Sequence, residues 1–94
     1  MLFRSQIRTK IDIESKLHEK VLAKLQKKLK ERFDKVITID GIKTVIDDDT
    51  WALVRKSNTE DIIRISVESS DLARAKSIQR EISVLVKECY EQSR

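Results

Sequence analysis

Ninety-four residues suffice for one domain with a single modest core, because a chain this short removes only roughly 60 to 70% of its unfolded surface from water. Hydrophobic residues at 39% are too many for a disordered chain, and charged residues at 38% are too many for a membrane-embedded one. The 20 basic residues against 16 acidic ones leave a net charge of +4, which is compatible with phosphate or nucleic-acid partners and selects neither.

No apolar run approaches the roughly 20 residues that a bilayer needs. The opening MLFRSQIRTK lacks a basic region followed by a long apolar stretch, so a cytoplasmic location is expected. Cys89 stands alone, which excludes an intramolecular disulfide or a multi-cysteine zinc site within one chain and fits a buried, inert thiol.

In QIRTKIDI, residues 6 to 13, Ile7, Thr9, Ile11 and Ile13 alternate with Gln6, Arg8, Lys10 and Asp12, the period-two pattern of a half-buried strand. From Ser15, a candidate N-cap, to Phe33 the spacing of Leu17, Val21, Leu22, Leu25, Leu29 and Phe33 predicts an amphipathic helix. Its lysine-rich face, including Lys16, Lys20, Lys24, Lys27, Lys28 and Lys30, is expected to be solvated, since no aromatic residue interleaves with it. The only histidine, His18, sits on this charged segment without a second strong ligand nearby and reads as a surface residue.

VITIDGIKTVIDDDTWALVRK reads as three short strands, Val36 to Ile39, Ile42 to Asp47 and Trp51 to Lys56. Asp40-Gly41 supplies the first hairpin turn, because glycine accepts positive φ, and Asp47 to Thr50 the second. Ile62 to Glu68 alternates Ile63, Ile65 and Val67 against a polar set that includes Arg64. Leu72 to Tyr90 carries Leu72, Ala75, Ile78, Ile82, Leu85, Val86 and Cys89 on one stripe, a second amphipathic helix with Ser69, Ser70 or Asp71 as its cap. The order β-α-β-β-β-β-α describes a single α+β domain over residues 1–94. Its antiparallel-rich sheet has both helices on one face and a polar face opposite.

The polar loop of WALVRKSNTEDIIRISVE is where chemistry concentrates. Arg55 closes one strand, Arg64 lies near the start of the next, and Ser57, Asn58 and Thr59 occupy the connection. A phosphate dianion needs donors converging from several directions; guanidinium supplies a planar fork, loop N–H groups a nest, and Asn tolerates the positive φ a nest often requires. A polar hairpin whose arginines pair with Glu60, Asp61 or Glu68 accounts for the same residues, and chemistry alone leaves both readings open. Asp47, Asp48 and Asp49 are adjacent in sequence, without the alternate-position spacing of a calcium loop, and read as a solvated turn. One histidine and one cysteine assemble no nucleophilic triad, so binding is expected rather than catalysis.

With its DGIKTVIDD turn before and VESSDLARAKSIQREI after, RKSNTEDIIR resembles the phosphate-binding loop of the α-D-phosphohexomutases, Arg-x-Ser-(Gly or Asn)-Thr followed by another arginine. The resemblance covers nearly the whole chain, most strongly residues 36 to 87, and corresponds to the fourth, C-terminal domain of four, a TATA-binding-protein-like α+β fold. Phosphomannomutases, phosphoglucomutases and phosphoglucosamine mutases of this family interconvert hexose 1-phosphates and 6-phosphates through a bisphosphorylated sugar.

The resemblance implies that Arg55, Ser57, Asn58, Thr59 and Arg64 grip the substrate phosphate that is not being transferred. It also implies that a hexose phosphate and the remaining domains of a parent enzyme are the partners. Lys56 and Asp61 depart from the family pattern, which often has proline at one or both positions. The family's phosphoserine loop, Asp-x-Asp-x-Asp magnesium loop and sugar-specificity loop have no counterpart in these residues. No cofactor is therefore expected in this domain, Mg2+ is implied for the parent, and the domain alone is expected to be inactive.

The alternative expectation is a small basic nucleic-acid-binding module using the open sheet face. Aromatic residues are only 4%, and Trp51, Tyr90, Phe3 and Phe33 form no stacking platform on adjacent strands, which makes nucleic acid the weaker reading.

Overall fold

The computed structural model describes residues 5–38 and 41–94, so the expectations that fall on Phe3, Ile39 and Asp40 lie outside the described residues. Strand β1 (Ser5–Asp12) leads through a 3-10 turn (Ser15–Leu17) into α1 (His18–Arg32). Strands β2 (Lys35–Ile37), β3 (Ile42–Val45), β4 (Trp51–Lys56) and β5 (Ile62–Ser69) follow, and α2 (Leu72–Ser93) ends the chain. The five strands form one antiparallel sheet in the order β1-β5-β4-β3-β2. The expected α+β element order and antiparallel pairing are therefore both present.

Alternation decides which face is covered. Ile11, Ile42, Ala52, Val54, Ile63, Ile65 and Val67 are buried on one side of the sheet. Against them pack Val21, Leu25 and Leu29 of α1 and Ala75, Ile78, Ile82, Leu85, Val86 and Cys89 of α2. Each fully buried aliphatic side chain contributes about 1.5 to 3 kcal/mol relative to exposure, so these residues supply most of the driving force. Burial also raises the Cys89 thiol pKa, because the thiolate is poorly solvated there. The Thr44 hydroxyl, on the same face, is buried without a hydrogen-bond partner.

The lysine-rich face of α1 is largely solvated, as expected, with Lys20, Lys27 and Lys30 exposed and Lys24 and Lys28 half-buried. Lys24 Nζ donates to the Gln92 carbonyl at 2.7 Å, Lys28 pairs with Glu88 at 3.4 Å and Arg32 with Glu81 at 3.1 Å. Positions falling along α1 meet positions rising along α2, so the helices run antiparallel and these cations tie them together. The Gln92 contact, with a Ser93 Oγ to Cys89 O bond of 2.8 Å, accounts for α2 continuing to Ser93 rather than stopping near Tyr90.

Two expectations at the start of α1 are corrected. Ser15 does not cap the helix with its side chain; its N–H and Oγ–H both donate to Asp61 Oδ1, at 3.0 and 2.6 Å. A carboxylate is a stronger acceptor than a hydroxyl, and Asp61 reaches Ser15 only through the tertiary fold. His18 is not on the surface but 2% exposed, with Nε2 2.7 Å from the Ile13 carbonyl oxygen. A carbonyl only accepts, so Nε2 carries the proton. Spacing could have found this histidine, since His18, Leu22, Leu25 and Leu29 recur on the apolar stripe.

The Asp47 to Thr50 turn lies at the opposite end of the sheet from the Ser57 to Asp61 loop. Asp47 Oδ1 accepts from Asp49 N–H at 2.9 Å and Asp47 Oδ2 pairs with Arg74 at 3.2 Å. Asp49 Oδ2 accepts from Ser70 N–H at 3.1 Å and from the Ser70 hydroxyl. These carboxylates are engaged in fixing the β5–α2 corner, where Asp71 caps α2 by accepting from Ala73 N–H at 3.0 Å.

Candidate functional site

The β4–β5 hairpin brings the two arginines together. Arg55 is the direct cross-strand partner of Arg64, so both side chains leave the same face of the sheet, and both are exposed. Directly opposed residues have Cβ atoms about 4.5 to 5.5 Å apart, and like charges so placed are destabilising. Arg64 is also the partner of the exposed Lys10 on β1, which puts three cations in one row across three adjacent strands. Only the antiparallel pairing of β1 with β5 reveals Lys10 as a neighbour, and the sequence had not singled it out.

The loop after β4 is held in one shape by its own donors. Ser57 N–H donates to the Ile62 carbonyl at 3.1 Å, and Ser57 Oγ accepts from the N–H groups of Thr59 and Glu60 at 3.3 and 3.1 Å. These three loop N–H groups are therefore occupied inside the loop, which corrects the expectation that they form an open nest. Backbone donors in a folded loop find partners wherever geometry permits. A hydroxyl has two acceptor positions and one donor. Ser57 uses its oxygen as the acceptor within the loop and keeps its O–H as a donor. The side-chain donors around the loop are the two guanidinium groups, the Ser57 and Thr59 hydroxyls and the Asn58 amide.

The far end of the loop is anchored to the β1–α1 junction. Ile13 N–H donates to the Asp61 carbonyl at 2.9 Å, while the Asp61 carboxylate takes both Ser15 donors. The Ser15 side-chain and backbone hydrogen bonds hold the Asp61 carboxyl below its ordinary pKa of 3.8. The negative charge that this departure from the family pattern introduces is thus turned onto Ser15.

Beside the loop lies a small pocket of about 170 Å³, lined by Leu22, Gly41, Arg55, Lys56 and Asn58. Gly41 has φ +118°, and a Cβ there would lie 2.8 Å from both Arg55 Cγ and the Val54 carbonyl oxygen. The glycine is required twice, by its backbone angle and by the Arg55 stem crossing over it. The sequence had identified Gly41 only as a turn residue; it is also a wall of the pocket. Ser57, Thr59 and Arg64 lie outside the pocket lining, around the same loop.

The family model described as phosphoglucomutase/phosphomannomutase, C-terminal domain, matches residues 8–84, taking in both arginines, the loop and most of the two helices. The chain belongs to this phosphohexomutase domain family. The phosphohexomutase domain is similar to part of a probable phosphoglucosamine mutase of Methanopyrus kandleri, 34% identical over 88 residues that cover 94% of this chain and 19% of that protein. A probable phosphoglucosamine mutase of Methanobrevibacter smithii is 38% identical over 85 residues, covering 87% of this chain and 19% of that protein. A phosphoglucosamine/phosphogalactosamine mutase of Sulfurisphaera tokodaii is 39% identical over 84 residues, 85% of this chain and 18% of that protein. The chain thus spans about a fifth of the length of the curated relatives it matches. Among its described residues, no helix is long and apolar enough to cross a membrane.

Proposed function

We propose that this domain grips the non-transferred phosphate of a hexosamine phosphate for a phosphoglucosamine-mutase-type parent enzyme. The observation that carries the reading is the direct opposition of Arg55 and Arg64 beside a loop on which Asn58 and Thr59 are exposed. Two guanidinium groups directly opposed across a hairpin repel each other, and a dianion placed between them would offset that repulsion. The hexosamine assignment rests on the activities for which the relatives are named.

Holding a remote phosphate lets binding energy orient the sugar at its reacting end, and hold it again after it has turned around. The chemistry itself, with its phosphoserine and Mg2+, would belong to the rest of the parent, so the domain alone does not interconvert hexose phosphates. The carboxylates at Asp47 and Asp49 are committed to Arg74 and Ser70 and do not suit that metal.

Charge-assisted hydrogen bonds contribute about 1.5 to 3 kcal/mol each, and lost translational and rotational freedom offsets much of that. The isolated domain should therefore bind glucosamine 6-phosphate only at millimolar concentration or above, corresponding to about 4 kcal/mol or less. Calorimetric titration of the chain with glucosamine 6-phosphate and with glucosamine tests this. Binding of the phosphorylated sugar alone, lost in both Arg55→Ala and Arg64→Ala, is expected; equal binding of both sugars would remove the proposal's basis.

A further inference from the structure

Lys56 and Asp61 depart from a family pattern that often has proline at one or both positions, and Lys56 takes no part in the loop's internal hydrogen bonds described above. Successive strand residues point to opposite faces, so Lys56 leaves β4 on the helix-covered side while Arg55 leaves on the open side. Both nevertheless line the roughly 170 Å³ pocket, together with Gly41 and Leu22. Cations from two faces of the sheet thus border one small cavity, which Asn58 also lines.

The charge of Lys56 is only loosely committed. Its Nζ lies 3.9 Å from Glu19 Oε1 in the first turn of α1, and the two side chains are 46% and 90% exposed. An exposed pair at that separation contributes little to stability and exchanges readily for a better acceptor. Of the two carboxylates in the loop, Glu60 and Asp61, the second is held by Ser15 and does not compete for the lysine.

We propose that Lys56 is a further binding residue of this site: its ammonium group exchanges Glu19 for the ligand's phosphate dianion, and Glu19 acts as the competing internal anion. This rests on the phosphate-gripping role assigned to the loop and sets Lys56 beside Arg55 at the pocket, favouring a doubly charged phosphate monoester over singly charged anions. The pocket is large enough for a phosphate group, and Leu22 gives it one apolar wall suited to the adjoining carbon.

The test is a titration of the 94-residue chain with inorganic phosphate at low ionic strength, comparing wild type, Lys56→Gln, Glu19→Gln and Arg55→Ala, with urea midpoints recorded for each. Removing one exposed charge about 4 Å from the ligand should weaken binding by about fivefold in Lys56→Gln. Glu19→Gln should tighten binding by about twofold, because it releases the lysine from an exposed pair. Opposite signs are the diagnostic result, since a pair that merely props up the fold would make both variants change in the same direction. Changes of the same sign, or no change in either while Arg55→Ala abolishes binding, would overturn the role of Lys56 and leave the loop reading standing. An Arg55→Ala variant that binds like wild type would overturn both.

Discussion

Replacing Gly41 with alanine is the substitution that most directly couples the fold to the site. The new Cβ would sit 2.8 Å from the Val54 carbonyl oxygen and 2.8 Å from Arg55 Cγ, at a φ of +118° that side chains with a Cβ rarely adopt. Holding a non-glycine residue in such a region costs about 1 to 3 kcal/mol, and the contact with a backbone oxygen, which cannot swing away, raises the expected loss to about 2 to 4 kcal/mol. A domain of this size has a total stability of about 5 to 14 kcal/mol, so the variant should remain folded in water. With a urea slope of about 2 kcal/mol per molar, the midpoint should fall by about 1 to 2 M. The Arg55 stem can relieve its own clash by moving off the pocket, so phosphate affinity should fall as well. Chemical denaturation measures the first effect, and phosphate titration of the folded variant measures the second. A Gly41→Ala protein with an unchanged midpoint and unchanged phosphate affinity would refute the proposed dependence of the arginine's position on this glycine.

Other substitutions probe individual links. Thr44→Val removes a buried hydroxyl with no partner at nearly constant volume and should stabilise the domain by about 1 kcal/mol in urea denaturation. His18→Leu leaves the Ile13 carbonyl without its donor in a buried setting and should destabilise by about 1 to 3 kcal/mol, whereas a surface histidine would give almost no change. Asp61 has a folded pKa below its ordinary 3.8, so its contribution to stability is present above that value and is lost as pH falls through the depressed folded value. Asp61→Asn should therefore have a lower urea midpoint than wild type at neutral pH, and the two curves should converge below about pH 4.

The sequence made the sheet legible because most of its information is local. The alternation in Ile62 to Glu68 and the Asp-Gly and Asp-rich turns set strand phase and hairpin order without reference to anything distant. The misses lie where a distant partner decides the outcome. Ser15 looks like a cap until Asp61, on the loop before β5, takes both of its donors. His18 looks like a surface residue until the Ile13 carbonyl, just past the end of β1, supplies an acceptor inside.

The same division applies to the site. Arg55 and Arg64 flank one short loop, so their proximity follows from a hairpin, and the resemblance to the phosphohexomutase loop could be read from adjacent residues. Lys10 joins them only because β1 pairs with β5, and Gly41 becomes a pocket wall only because the Arg55 stem crosses it. Composition carries neither fact. The loop N–H groups looked available from sequence because no local pattern announces that Ser57 Oγ will accept two of them.

The central claim is that the loop around Ser57 to Thr59, with Arg55, is where this domain holds phosphate. Amide-resolved NMR titration of the chain with inorganic phosphate tests it most directly. The Ser57, Asn58 and Thr59 amides should shift first and together, with a single saturating curve that disappears in Arg55→Ala. Shifts confined to the lysine-bearing face of α1, with the loop amides unmoved, would contradict the claim.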